Sequence, residues 1–385
     1  MTSNSKFSPL IEDALSELTT QGVECLGPAL EKLFNELMLI EREQVLQAAP
    51  YERCDSRQGY ANGFKNKMLQ TRFGKLELQV PKTRDIPFYP SCLEKGTRSE
   101  RALGLAIAEM YVNGVSTRRV KRITEKMCGL EISSTQVSRL CQLLDKELEL
   151  FRKRPLGPVH YLYLDARYEK VRENGNVKDL ALFTAIGVNL QGYREVLGVS
   201  CKLSEAEVHW RDFLDDLVKR GLRVHGMIIS DDHSGLRKAR QAVFAGTLWQ
   251  RCIFHMAQNI QQYVPKVDMR GEVAQSLRDI FNARDKEEAI QRARDAIKNY
   301  KESAPRVSHW LEENCEEGMA FYSCPRTHWK KIRTNNASER VNQEIKRRTS
   351  IARLFPNEKS CERLATAIMV EIHEDWISGR RYLQV

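Results

Sequence analysis

The stretch Val224-His-Gly-Met-Ile-Ile-Ser-Asp-Asp-His-Ser-Gly-Leu236 decides how the rest of the sequence is interpreted. It begins with an apolar run rich in β-branched residues, which is the pattern of a buried strand. Two carboxylates follow, Asp231 and Asp232, and then a polar turn leads into a helical pattern. Because open α/β sheets place their sites at the carboxyl ends of strands, Asp231 is the first candidate for a functional residue.

Three strand patterns precede this stretch, over residues 159–171, 180–188 and 193–201. The short connection between the first two contains Asn174-Gly175, which is a strong hairpin signal. A helix that Ser204 can cap and that Gly221 ends connects the third strand to the fourth. Three antiparallel strands, a helix and a parallel strand are the order of the ribonuclease H-like fold. In that order, Asp165 on the first strand and Asp231 lie side by side at the sheet edge.

The remaining C-terminal sequence is predicted to complete this fold. A helix over about 234–245 and a fifth strand over 247–254 come next, and helical patterns then fill residues 264–330. We interpret that segment as an all-α insertion, because the fold still lacks its last helix. Residues 335–349 supply this helix. Its polar stripe consists of Asn335, Glu339, Asn342 and Lys346.

The N-terminal half contains a candidate DNA-binding region. Helical periodicity begins at Leu26, and the basic, aromatic residues 51–90 that follow suit either phosphate contacts or a plain solvated β-hairpin. Three helical patterns fill residues 99–151. The second is capped by Ser116 and closed by Gly129, and its first turns are basic, which predicts a helix-turn-helix. The expected DNA contacts are Arg118, Arg119, Lys121, Arg122, Gln136 and Arg139.

These patterns together predict an α+β multidomain protein. Its ribonuclease H-like α/β catalytic core carries an all-α insertion and is preceded by a helical helix-turn-helix DNA-binding region. The predicted domains are an N-terminal helical segment with a basic β-hairpin region (1–98), the helix-turn-helix (99–153), the first part of the core (154–263), the insertion (264–330), and the last core helix with the C-terminal tail (331–385).

Composition limits the partners of the chain. Its 385 residues carry a formal net charge of +10, which favours a polyanion such as double-stranded DNA, although a basic enzyme of another kind is the alternative. No apolar run reaches the roughly 18–20 residues of a membrane span, and the first residues lack a signal peptide's apolar centre. We therefore expect a cytoplasmic, nucleoid-associated protein without a membrane partner.

The ten cysteines include no Cys-x-x-Cys pair, so we expect them to be reduced. Only Cys252 and His255 have the spacing of metal ligands, and they supply half of a tetrahedral zinc site. We interpret them as a structural pair that packs near the site. The acidic residues suggest a different metal, since aspartates and a glutamate at one sheet edge suit two hard divalent cations. Strand-end aspartates held by backbone amides or arginines are the alternative.

Eight stretches resemble the Mutator-type transposases of bacterial insertion sequences, which have a DDE catalytic core. They occur in order and cover about residues 50–380. The stretches are Gly114-Val-Ser-Thr-Arg-Arg119, Leu130-Glu-Ile-Ser-Ser134, Tyr163-Leu-Asp-Ala166, Glu205 with Trp210 and Arg220-Gly-Leu222, Ser230-Asp-Asp-His-Ser-Gly-Leu236, Trp249-Gln-Arg-Cys-Ile-Phe-His255, residues 333–349, and Leu354-Phe-Pro-Asn357.

The resemblance implies which residues form the site. The two aspartates of the family fall on Asp165 and Asp231, and its glutamate, in an Asn-x-x-Glu motif, falls on Glu339. These three residues are the expected catalytic residues and the ligands of two Mg²⁺ or Mn²⁺ ions. Glu344 is an alternative third carboxylate, and Asp232 is a competing ligand. Lys346 and Arg347, on the same helix as Glu339, are expected to contact DNA.

The function that the resemblance implies is DNA transposition. The protein would bind the terminal inverted repeats of an insertion sequence, cleave DNA at the element ends and join the 3′-OH to target DNA by two-metal chemistry. Synapsis of two ends implies a homo-oligomer, at least a dimer. One alternative is a sequence-specific DNA-binding regulator with an inactive ribonuclease H-like scaffold. Another is a nuclease that cuts ends without joining them.

Overall fold

The computed structural model describes residues 16, 20, 25–93, 95, 99–112, 115–173, 175–352 and 354–384. The chain divides into two compact units, Met1–Leu144 and Asp145–Val385. The sequence-based boundary at residue 153 lies later, whereas the structural division comes where helix α5 (Asp145–Lys153) begins. Asp145, the first residue of this helix, accepts a hydrogen bond from Arg363 Nη2 at 2.8 Å, which joins α5 to the second unit.

The first unit begins with a helix on a β-hairpin. Its elements are α1 (Leu26–Leu46), β1 (Tyr60–Thr71) and β2 (Gly74–Arg84), and the two strands are antiparallel. Met38 of α1 packs with Leu76, Leu78 and Val80 of β2 in a buried core. The solvated hairpin is thus present, although the turn-rich sequence 57–63 is partly strand, because β1 already begins at Tyr60.

Three helices follow, α2 (Arg101–Val112), α3 (Thr117–Cys128) and α4 (Ser134–Cys141). The predicted caps of α3 are confirmed: Ser116 accepts a hydrogen bond from the Arg119 amide, and Gly129 closes the helix with φ +60°. The residues between α2 and α3 include Asn113-Gly114, a dipeptide typical of a break between helices, which lies outside the described residues. The prediction of one continuous third helix to Leu150 is wrong. A 3₁₀ turn at Gln142–Leu144 separates α4 from α5, whose first turn carries its own acidic residues.

The second unit contains a five-stranded mixed sheet. Its strands are β3 (Pro158–Glu173), β4 (Asn176–Asn189), β5 (Arg194–Lys202), β6 (Arg223–Ser230) and β7 (Leu248–Arg251). Their order is β5-β4-β3-β6-β7, antiparallel from β5 to β3 and parallel from β3 to β7. The predicted run of three antiparallel strands and then parallel ones is therefore confirmed. Gly175 has φ +83° in the hairpin between β3 and β4, and its neighbour Asn174 lies outside the described residues.

Helices α6 (Glu207–Lys219) and α7 (Ser234–Val243) cover one face of the sheet. Trp210 of α6 stacks on Phe183 of β4 with ring centroids 4.0 Å apart, at the centre of a wholly apolar core. Such an aromatic pair contributes about 0.5–1.5 kcal/mol beyond its buried area. Helix α14 (Glu358–Ser378) packs against β5. The sheet is thereby held as a rigid platform for the residues at its edge.

The chain between β7 and the last two helices is helical, as predicted. It contains α8 (Ile253–Ile260), α9 (Arg270–Phe281), α10 (Lys286–Ser303), α11 (Pro305–Asn314) and α12 (Trp329–Ile332). Trp310 and Trp329 belong to its packing: Trp310 is 6% exposed, and Trp329 stacks edge-on against Phe321. Helix α13 (Asn336–Ala352) follows and packs against β3. No helix within the described ranges is long and apolar enough to cross a membrane.

Two local predictions are corrected by tertiary contacts. Ser204 does not cap α6, which begins at Glu207 after Ala206; the Ser204 hydroxyl lies 3.3 Å from Nδ1 of His209 instead. Strand β7 ends at Arg251 rather than at residue 254. There the Cys252 amide donates to the carbonyl of Ser230 at 2.8 Å and the chain turns directly into α8.

Candidate active site

The structure brings Asp165 and Asp231 to neighbouring positions on adjacent strands. Strands β3 and β6 are parallel and pair Tyr163 with Ile229, so both aspartates lie just beyond this pair, in the same register. Asp165 is 6% exposed. Its Oδ1 accepts a hydrogen bond from the Ala166 amide at 3.0 Å, and its Oδ2 accepts one from Asn342 Nδ2 at 2.8 Å. These bonds fix the orientation of the carboxylate.

The polar stripe of α13 faces this pair, as its helical spacing predicted. Asn335, which precedes the helix and is fully buried, donates from Nδ2 to the carbonyl of Leu164 at 3.1 Å. Asn342 contacts Asp165 two turns later. Glu339 lies between them, and its charge acts on Asp165. Lys346, at the far end of the stripe, is exposed.

Without a bound cation, it is unfavourable for the carboxylates of the site to be ionised together. Burial, together with the charges of Asp231, Glu339 and Glu205, raises the pKa of Asp165 to about 8. Burial also raises the pKa of Asp231, which the nearby His255 and His233 partly oppose. Carboxylates held together in this way either take up protons or need a cation.

Unpartnered oxygen atoms point to the same requirement. Glu339 Oε1 and Asn342 Oδ1 are buried and accept no hydrogen bond within the described part of the chain. In that part, no three histidine, cysteine, aspartate or glutamate side chains are arranged so that they could hold a metal ion by themselves. A Mg²⁺ ion that keeps waters and takes oxygen ligands from a phosphate requires fewer protein ligands. The donor set, which consists of carboxylates and amide oxygens, therefore fits a hard divalent cation that also binds its substrate.

The two competing acidic residues have other partners. Glu344 accepts hydrogen bonds from Arg347 and Arg348 at 2.7 Å, and the bond from Arg347 is the main reason that its pKa falls to about 2. Asp232 accepts a hydrogen bond from Arg237 at 2.6 Å and lies 3.2 Å from Arg251. Neither carboxylate is left without a counter-charge, so Glu339 is the better third member of the site.

Cys252 and His255 lie at the start of α8, between the aspartates and α13. The Cys252 thiol accepts a hydrogen bond from the Asn335 amide at 3.2 Å, and burial raises its pKa to about 11, so the thiol stays neutral. His255 has a buried Nδ1 without a hydrogen-bond partner in the described residues, and its charge acts on Asp231. This placement supports the predicted structural role of Cys252 and adds His255 to the surroundings of Asp231.

Glu205 is a residue of this region to which the sequence analysis gave no role. It follows β5, and its side chain, 11% exposed, lies 3.7 Å from His233 Nδ1. Its charge raises the pKa of Asp165, after the larger effects of burial and of Asp231. In the sequence, Glu205 comes shortly after a predicted strand and falls within the helix that Ser204 is predicted to cap.

The expected DNA contacts occupy both units. In the first unit, the predicted cations are exposed on α3 and α4; they are Arg118, Arg119, Lys121, Arg122 and Arg139. Gln136 is half-buried, and its Oε1 accepts a hydrogen bond from the Ser133 amide in a capping box, which leaves its amide NH₂ as a donor. In the second unit, Arg347 is exposed beside Lys346 and pairs with Glu344.

Comparison with known proteins gives this arrangement a family. The Mutator family transposase model matches residues 2–379. The transposase for insertion sequence element IS406 of Burkholderia multivorans is 46% identical over 375 residues, which cover 97% of each chain. The transposase for element ISRM5 of Rhizobium meliloti is 39% identical, covering 97% of this chain and 94% of the relative.

A third relative, the transposase for element IS256 in transposon Tn4001 of Staphylococcus aureus, is 36% identical and covers 92% of each chain. Among solved structures, a chain from the simian T-cell lymphotropic virus intasome in complex with PP2A regulatory subunit B56 gamma is 9% identical. The match covers 53% of this chain and 64% of the intasome chain, and its TM-score of 0.18 is too low to support a structural argument. The extent and identity of the sequence matches show that the chain belongs to the Mutator family of transposases.

Proposed function

We propose that this transposase cuts and joins DNA at a DDE site formed by Asp165, Asp231 and Glu339, on a ribonuclease H-like core. The strand order, with three antiparallel strands followed by two parallel ones, supports this fold. The observation that carries the proposal is the convergence on one sheet edge of Asp165, which is buried, and Asp231, which is half-buried. Neither forms an ion pair with a described residue, and Glu339 adds an unpartnered oxygen. Helical residues 264–330 are then the insertion before the last core helix.

Divalent cations, Mg²⁺ or Mn²⁺, would supply two functions here: they activate the attacking oxygen and stabilise the leaving oxygen of an in-line displacement. Asp165 and Asp231 would hold the cations from the strands, and Glu339 would hold them from α13. Asn342 keeps Asp165 oriented through its hydrogen bond at 2.8 Å. The buried sheet keeps these groups at fixed positions, so they need not reorganise when the phosphate arrives.

The same site can serve both steps of transposition. In the first step a water oxygen attacks the phosphodiester at the element end, and the bond to the 3′ oxygen breaks to leave a 3′-OH. In the second step the oxygen of that hydroxyl attacks a phosphodiester of target DNA, the target's own bond between phosphorus and the 3′ oxygen breaks, and the hydroxyl proton passes to the released 3′ oxygen. Both are displacements at phosphorus with the same charge distribution. Two ends must be held at once, so the active form is at least a dimer.

The exposed cations would position the DNA. The basic face of α3 and the start of α4 form a helix-turn-helix whose second helix enters the major groove of the terminal inverted repeat. Arg118, Arg119, Lys121 and Arg122 would contact phosphates, whereas Gln136 and Arg139 would reach base edges. Beyond Glu339 on α13, Lys346 and Arg347 would hold phosphates within a few nucleotides of the cleaved bond.

The test is a cleavage and joining assay on DNA that carries the element end. With Mg²⁺, the protein should nick the end and join it to a second DNA; with EDTA it should bind but not cut. Binding of end DNA without cleavage in any metal would identify a DNA-binding regulator instead. Cleaved ends that never join a target would identify a nuclease.

A further inference from the structure

Glu205 is placed at the catalytic edge by the path of the chain after β5. The sequence predicted that a helix would start at Ser204, but residues 204–206 precede the helix, and Ala206 has an extended backbone with φ −63° and ψ 153°. The chain therefore passes the carboxyl ends of β3 and β6 before α6 begins at Glu207. Glu205 points inward from this segment and is 11% exposed, whereas Glu207 is 39% exposed and pairs with Arg211 at 3.2 Å.

A glycine allows this segment to lie so close to the site. A Cβ atom added to Gly235 would lie 2.2 Å from the carbonyl oxygen of Glu205 and 3.0 Å from the amide of Glu207. No side chain fits there without moving one of the two backbones. Gly235 opens α7, four residues after Asp231, so the start of this helix and the Glu205 segment are packed together as one unit.

Three independent contacts describe what Glu205 faces. Its Oε2 lies 3.7 Å from Nδ1 of His233, two residues after Asp231. It lines an open cavity of about 410 Å³ together with Tyr168, His233 and Lys238. Its charge raises the pKa of Asp165, and the charge of Asp231 raises the pKa of Glu205 after the larger effect of burial.

We propose that Glu205 is a fourth carboxylate of the catalytic edge and a ligand of the divalent cation that Asp231 holds, with His233 orienting it. This inference rests on the proposed function and extends it. The alternative is that Glu205, which also accepts a hydrogen bond from Tyr168, only stabilises the loop through Tyr168 and His233. A carboxylate with that single role would not need to be turned toward two other carboxylates, where repulsion opposes it.

The experiment measures metal binding by the full-length protein and not its activity. Mn²⁺ is titrated into wild-type, Glu205→Gln and Glu207→Gln proteins, and free Mn²⁺ is followed by electron paramagnetic resonance. Glu205→Gln should weaken Mn²⁺ binding by about tenfold or more, the range seen when groups around a metal are removed. Glu207→Gln, two residues away and facing solvent, is the matched control and should bind Mn²⁺ as the wild type does.

Two further variants keep the outcomes separate. Asp231→Asn should abolish Mn²⁺ binding; if wild-type protein binds no Mn²⁺ at all, the proposed function itself fails. If wild-type binding is normal and Glu205→Gln binds equally well, only the inference about Glu205 fails. Thermal unfolding and binding of end DNA verify that Glu205→Gln is folded, and Glu205→Asp, which keeps the carboxylate, should recover part of the lost affinity. A variant that is destabilised but binds Mn²⁺ normally would show a purely structural role.

Discussion

Asp231 and Asp232 are adjacent in the chain, yet their surroundings are opposite. Asp232 accepts a hydrogen bond from Arg237 at 2.6 Å and lies 3.2 Å from Arg251, and both arginines also contact Glu317. This group of four charges is balanced within the protein. Asp231 has no salt bridge to any described residue, and it faces the Asp165 carboxylate instead.

The difference separates carboxylates that arginines neutralise within the protein from those that we propose bind a cation. A buried carboxylate without a counter-charge costs several kcal/mol unless it takes up a proton or binds a metal. The Asp232 group has arginines and needs neither. Asp165 and Asp231 form no ion pair with any described residue, and the charges of His255, His233 and Arg251 only partly oppose the raised pKa of Asp231. Burial, with the neighbouring carboxylates, raises the pKa of Asp165 to about 8. Asp231 and Asp232 are consecutive in the chain but have different surroundings. The same substitution at each position therefore serves as a control for the other.

The largest expected effect comes from Asp231→Asn. Loss of a ligand to the catalytic cation removes several kcal/mol of transition-state stabilisation, so end cleavage should fall by about 10³-fold or more. Binding of end DNA should be unchanged in a gel-shift assay, because the helix-turn-helix is in the other unit. Cleavage by the variant at a rate close to that of the wild type would refute the assignment.

The second comparison is between two glutamates on α13. Glu339→Gln should reduce end cleavage nearly as much as Asp231→Asn, since its unpartnered Oε1 faces the site. Glu344→Gln should leave cleavage within about threefold, because its carboxylate is bound by Arg347 and Arg348 and contributes mainly to stability. Rates are measured on the same end DNA with Mg²⁺. A larger loss in Glu344→Gln than in Glu339→Gln would reverse the order of the two residues.

Asp232→Asn tests the balanced side of the comparison. The variant loses a charge-assisted hydrogen bond from Arg237 and an ion pair with Arg251, which is 4% exposed. The free energy of unfolding in urea should fall by about 1–3 kcal/mol. Cleavage per folded molecule should change little, in contrast to Asp231→Asn. If cleavage is abolished while stability is unchanged, Asp232 belongs to the metal site.

The smallest effect concerns pH in the absence of metal. The native protein holds the proton of Asp165 more tightly than the unfolded chain does, because its pKa is raised from 3.8 to about 8, chiefly by burial. The free energy of unfolding in EDTA should therefore fall as the pH rises through this range. Asp165→Asn, which cannot ionise, should lose less stability between about pH 4 and about pH 8 than the wild type. A Mg²⁺ excess should restore wild-type stability at the higher pH. Parallel pH profiles of the two proteins would contradict the raised pKa.

Much of this site could be predicted from local sequence patterns. Strand periodicity gave the order of the sheet, and the neighbouring positions of Asp165 and Asp231 follow from that order. Helical spacing placed Asn342 and Glu339 on the face of α13 that meets the aspartates. In each case the determining interaction repeats every two residues or every turn, so it is visible in one segment of sequence.

The features that were not predicted depend on contacts between distant segments. Ser204 is a residue type that commonly caps helices, but α6 begins only at Glu207. The backbone of residues 205–207 packs closely against Gly235, which is far away in the sequence. The resemblance already favours Glu339 over Glu344, but it does not record the ion pairs of Glu344: its partner Arg348 also binds Glu371 on another helix. The charge balance around Asp232 likewise includes Glu317, which is more than eighty residues away in the sequence and shares the same arginines. No periodicity within one segment records such partners.

Helix α13 also sets a length. It carries Glu339 near its first turn and the exposed Lys346 seven residues later, on the same stripe. Seven residues of α-helix rise about 10 Å, and successive phosphates of one DNA strand rise about 3.4 Å along the duplex axis. A duplex whose axis runs parallel to α13 would therefore place the scissile phosphate and the phosphate at Lys346 about three nucleotides apart. The distance between the cleaved phosphate and the phosphate bound by Lys346 is then fixed by a single helix, α13.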